Sequence, residues 1–211
     1  VQRYISDWAD ALDEMLKLDC EIFLPGHGFP ILGKKRIKKA LETTSKFLRS
    51  IEDQTLKLMN QGKSLNQVLH EVEIPNDLME LPWLTPIYDD PQFLIRMIWR
   101  RYGGWWDGEY DRLLPAPRKE EALAWVELSN GIDNIILKAL ESLNKGNLKV
   151  AAQLIETAFH ADNDNDQMHD ARAKIYREFS LKQSSSMGRN ILNHASMASA
   201  QGKRDLAQTE D

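Results

Sequence analysis

The chain has 211 residues, with 27 Lys plus Arg against 32 Asp plus Glu, a formal net charge of -5, 42% hydrophobic residues and a single cysteine. That length suffices for one large domain or two small ones with a real core. The acidic balance removes any electrostatic reason to expect nucleic acid or an anionic membrane surface, and no apolar run reaches the roughly eighteen residues of a membrane span. One cysteine, Cys20, excludes an internal disulfide framework, and a buried inert thiol in a reducing, cytoplasmic compartment is the favoured reading. The chain opens at Val1 and enters a helix almost at once, so it reads as a fragment whose localisation signals are not on view.

Tyr4, Ile5, Trp8, Leu12, Met15 and Leu16 recur at helical spacing and predict a first helix over 3–18. Glu21-Ile22-Phe23-Leu24 has the length of one short buried strand and stops at Pro25, which cannot donate to a ladder. The turn that follows, Gly26-His27-Gly28, projects an imidazole from a backbone freed by glycine. After Gly33, apolar positions from Ile37 to Leu58 predict the longest helix, ending at Gly62. Ser64 is a plausible N-cap for a short helix through Val72. Four prolines between Pro75 and Pro91, set among Leu78, Leu81, Trp83 and Leu84, predict an ordered connection. A helix over 93–101 then breaks at Tyr102-Gly103-Gly104-Trp105-Trp106-Asp107-Gly108, where glycines interleave with aromatics. From composition alone that stretch is a structural corner.

Leu113-Leu114-Pro115-Ala116-Pro117 is the best candidate boundary. Beyond it helices are expected over 118–128, 132–143, 148–159, 166–181 and 184–200, with small residues that resemble an antiparallel tetratricopeptide pair without its full consensus. Residues 201–211 read as a disordered tail. Asp162-Asn163-Asp164-Asn165-Asp166 imitates a calcium loop, but Gln167 stands where the glycine is needed, so a capping turn is the better reading. Lys34-Lys35-Arg36 belongs to a solvated helix surface. Of five histidines, His27, His70, His160, His169 and His194, no two stand at the spacing of a compact metal-ligand cluster.

The succession helix, strand, Leu24-Pro25-Gly26-His27-Gly28, Ile31-Leu32-Gly33 and long helix resembles the last βα segment of the metallo-β-lactamase fold. With the Tyr102–Gly108 turn and Leu113-Leu114-Pro115, the chain looks like the alkylsulfatase branch of that superfamily. The resemblance implies a mainly α chain in which an α/β remnant, 1–114, is followed by a helical dimerisation domain, 118–200. It implies a parent enzyme that hydrolyses sulfate monoesters of alkyl chains with two zinc ions, of which His27 binds one, and a homodimer. Departing from the family, the His-x-His-x-Asp-His run is absent, so the chain alone is expected to be inactive. Tyr102, Trp105, Arg100 and Arg96 are expected to line the pocket and hold the anionic ester. A helical association module without activity, or a hydrolase of the same fold acting on a different ester, would leave a similar trace.

Overall fold

The computed structural model describes residues 2–201, so the tail expected over 201–211 lies, beyond Gln201, outside the described residues. The chain is mainly helical and divides into two compact units, 1–113 and 114–211.

The first unit opens with α1 (Ile5–Leu16), whose Ile5, Ala9 and Leu12 point inward at helical spacing. Next come two short strands, β1 (Ile22–Phe23) and β2 (Ile31–Leu32), paired antiparallel with Ile22 opposite Leu32 and Phe23 opposite Ile31. The single buried strand expected over 21–24 is therefore the first arm of a hairpin. Strand alternation explains its burial: Phe23 and Ile31 pack against the unit's core, while Ile22 and Leu32 face outward. The long helix α2 (Lys34–Asn60) follows.

Ser64 caps α3 (Leu65–Glu71) through a full capping box, its side chain accepting from the Gln67 amide while the Gln67 side chain accepts from the Ser64 amide. The proline-rich connection is ordered and contains a single helical turn, α4 (Asn76–Met79). In α5 (Pro91–Gly103), Leu94, Ile95, Ile98 and Trp99 are buried, and the helix starts at a side-chain cap from Asp90. A 3-10 turn at Tyr110–Arg112 closes the unit. One continuous core joins α1, α2, α3 and α5, from Ile5 through Leu48 and Ile51 to Ile98. Cys20 is half-buried against it rather than fully enclosed.

The second unit is entirely helical among its described residues: α6 (Arg118–Leu128), α7 (Ile132–Asn144), α8 (Leu148–Ala161), α9 (Asp166–Leu181) and α10 (Ser186–Ala200). Its core consists of Ile135, Ile136, Ala139, Ala151, Ile155, Ala158, Met168 and Ile175. Alanine at facing positions lets these helices approach closely, and α7 packs on α8, α8 on α9, and α9 on α10. The acidic stretch 162–166 is a capping turn, with the Asn165 side chain accepting from the Met168 amide at 2.8 Å.

Candidate functional site

The hairpin presents His27 at its tip. Pro25 and Gly26 carry the chain out of β1, and Gly28 takes a φ of +94°, a backbone region that disfavours any residue with a Cβ. No atom stands within 4 Å of where a Cβ on Gly26 or Gly28 would lie, so the imidazole sits on an open turn. His27 itself is exposed, as are Leu24 and Phe29, the latter at 91%. Two exposed apolar side chains thus stand on either side of the histidine in the chain. Among the described residues no group of three or more His, Cys, Asp or Glu is placed to hold a metal ion. The described residues therefore do not make a three-donor zinc centre by themselves.

The glycine-aromatic corner is built from the end of α5. The Trp99 indole donates to the Trp106 carbonyl at 2.8 Å, and the Trp106 indole donates to the Glu109 carbonyl at 3.1 Å. Asp107 accepts the Leu65 amide on its own carbonyl at 2.8 Å and pairs with Arg112 through its carboxylate at 3.0 Å. Gly108, at φ +86°, lies so close to α3 that an added Cβ would stand 3.1 Å from the Ser64 Cα. The structural corner expected from composition is present in Trp99, Trp106, Asp107 and Gly108. Trp105 departs from it, projecting outward at 81% exposure.

The other expected pocket residues separate. Arg96 and Arg100, one helical turn apart, are exposed on α5 opposite its buried face. Tyr102 turns its hydroxyl inward, donating to Glu52 of α2 at 3.1 Å. The engaged cation is Arg101, which sequence reasoning passed over: it pairs with Asp7 at 2.9 Å and lies over the rings of Tyr4 and Tyr102 at 5.1 and 5.5 Å. The Asp7 hydrogen bond raises the guanidinium's pKa and keeps it charged. Two open grooves mark this unit, one lined by Met15, Leu16, Cys20, Ile37 and Leu41, the other by Asp13, Ser45 and Arg49. Neither is lined by His27, Tyr102, Trp105, Arg96 or Arg100. Lysines rim the first groove, where Lys17 pairs with Glu14, Lys34 with Asp19 and Lys38 with Glu42.

Glu52 had a legible signal, since an acid at position i+4 from Leu48 falls on the inward face of α2. The same signal marks Arg172 in the second unit, at i+4 from Met168 on α9. Arg172 is 1% exposed, pairs with Glu156 at 2.6 Å, donates to the Ser199 hydroxyl at 2.9 Å, and stacks on Phe159 at 4.3 Å. It joins α8, α9 and α10.

A family profile described as alkyl sulfatase dimerisation matches residues 64–202, beginning at the capped start of α3 and running through the corner and the helical unit. The chain is 29% identical over 171 residues to a linear primary-alkylsulfatase of Pseudomonas sp., covering 81% of this chain and 32% of that protein. It is 26% identical over 183 residues to an alkyl/aryl-sulfatase of Saccharomyces cerevisiae, covering 86% and 28%. Its fold matches that of a stereoselective inverting sec-alkylsulfatase from Pseudomonas sp. with a TM-score of 0.89 at 23% identity, over 96% of this chain and 32% of the other. The chain thus spans about a third of the length of these relatives. The resemblance to alkylsulfatases holds.

Proposed function

The chain belongs to the alkyl sulfatase dimerisation family, and from that premise we propose that it forms the subunit-pairing part of a homodimeric alkylsulfatase-like hydrolase together with one edge of its active site. The profile match across residues 64–202 carries this reading. The names of the relatives point to sulfate monoesters of alkyl chains as the substrate class. Successive helices joined by short connections, α6 to α10, suit association; in the same reading the chain, which lacks the family's His-x-His-x-Asp-His run, does not turn over substrate alone.

In this reading His27 contributes one imidazole to a zinc centre whose other donors belong to the rest of the complete enzyme. A zinc ion so bound would supply hydroxide near neutral pH. The open turn, which leaves the imidazole exposed, supports this reading, and no catalytic step is assigned to residues of this chain. Trp105 offers an indole face to the alkyl chain, and Arg96 and Arg100 offer guanidinium groups to the sulfate. Tyr102 contributes only its ring edge, because its hydroxyl is held by Glu52. No described helix is long and apolar enough to cross a membrane.

The test compares the complete enzyme with its His27→Ala variant, measuring bound zinc and sulfate release from a long-chain primary alkyl sulfate. Loss of about one zinc per subunit together with turnover is expected. Unchanged zinc content overturns the ligand assignment. The 211-residue chain is then examined by sedimentation at several concentrations, where a strict monomer overturns the pairing role.

A further inference from the structure

The first helix of the second unit is built unlike the edge of a helical array. Terminal helices in such arrays carry a polar outer face that keeps them soluble. In α6 only Ala122 is buried, whereas Leu123, Trp125 and Leu128 are 48%, 52% and 74% exposed. These residues do not form one face: around the helix Leu123 stands about 200° from Trp125 and about 140° from Leu128, and Leu123 alone lies within a charge pattern of a particular kind. Lys119, Leu123 and Glu127 stand at i, i+4 and i+8, one stripe about 12 Å long. Lys119 and Glu127 are exposed, and among the described residues neither forms a salt bridge.

That stripe is complementary to itself when reversed. If a second α6 is laid antiparallel with a two-fold axis at Leu123, Lys119 of one copy meets the partner's Glu127, and the mirror pair forms at the other end. The leucines meet on the axis, and the two helix dipoles oppose favourably. We infer that α6 is an isologous interface, with a second copy of this chain as its occupant and Leu123 on the symmetry axis. This inference rests on the pairing role above and locates it.

The experiment keeps the two apart, using sedimentation of the 211-residue chain. Lys119→Glu or Glu127→Lys alone places like charges together at both ends and should raise the dimer dissociation constant roughly tenfold, about 1.4 kcal/mol. Combining Lys119→Glu with Glu127→Lys should restore it to within about threefold, a rescue that general loss of fold would not give. In a Cys20→Ser background, Leu123→Cys should form a disulfide with its own copy under oxidising conditions, because only a residue near the axis brings two Cα atoms within about 7 Å. Leu137→Cys, exposed on α7, should not. A dimer indifferent to the charge exchange and without the Leu123→Cys crosslink overturns α6 as the interface and leaves the pairing role standing. A monomer at every concentration overturns both.

Discussion

The Tyr102 hydroxyl donates to the Glu52 carboxylate across 3.1 Å, tying the last turn of α5 to the middle of α2. Glu52 is 6% exposed, so this bond satisfies a charge that water does not reach well. The tyrosine of the glycine-aromatic turn is thereby a strut. Tyr102→Phe removes the donor and leaves the carboxylate in place, and it should cost about 1–3 kcal/mol in urea unfolding. In the complete enzyme its KM for an alkyl sulfate should stay within about twofold. A large rise in KM with unchanged stability would return the hydroxyl to the substrate pocket.

Trp105 offers the opposite case. Its side chain is 81% exposed, so Trp105→Ala should shift the chain's stability by less than about 0.5 kcal/mol. If the indole contacts the alkyl chain, the complete enzyme should lose affinity for long-chain esters more than for short ones. Turnover and KM both unchanged by the substitution would remove Trp105 from the pocket.

Gly103 and Gly108 in the same corner should differ in tolerance. A Cβ on Gly108 would meet the Ser64 Cα at 3.1 Å with the backbone at φ +86°, whereas one on Gly103 would meet the mobile end of Met59 at 2.9 Å. Backbone cannot yield as a methionine terminus can. Gly108→Ala should therefore destabilise by about 1–3 kcal/mol and Gly103→Ala by about 1 kcal/mol or less, read from denaturant midpoints. Equal losses at the two positions would contradict this packing.

Arg49 links α1 to α2 by reaching Asp10 at 2.7 Å and Asp13 at 2.5 Å. The Arg49 hydrogen bond, more than any other neighbour, holds the Asp13 carboxyl below its usual range. A carboxylate with a depressed folded-state pKa adds stability that is fully present above the unfolded value, about 3.9, and is lost as the pH falls through the folded value. Both partners are 41% exposed, so the contribution should stay under about 1 kcal/mol. Arg49→Met should flatten the loss of stability on acidification below about pH 4, measured by thermal unfolding at fixed ionic strength.

Arg172 should be the costliest single position of the second unit. Arg172→Met leaves Glu156 without its 2.6 Å partner and frees the Ala195 carbonyl and Ser199 hydroxyl of α10. A loss of about 3–5 kcal/mol is expected, with faster amide exchange across 186–200. Arg172→Lys should recover little of it, because an ammonium cannot donate in a planar fork while stacked on Phe159.

Local chemistry made much of this chain legible. Apolar spacing, the Ser64 cap, Gly62 and the Pro115–Pro117 break depend on residues within a turn or two of each other, so the helices fall close to their expected limits. The Tyr102–Gly108 turn, being contiguous, was legible in the same way and lies within the stretch that matches the family. Burial is a different matter, because it depends on what another element places opposite a side chain. That is why the strand at 21–24 became half of a hairpin with β2, and why Arg101, not Arg96 or Arg100, found Asp7. It also decided that Tyr102, half-exposed, ties its hydroxyl to Glu52 while its near neighbour Trp105 projects out. The sequence by itself determined the helices, their caps and the family; only the tertiary structure decided which polar groups those helices bury and which aromatics they leave exposed, since those outcomes turn on contacts between residues far apart in the chain.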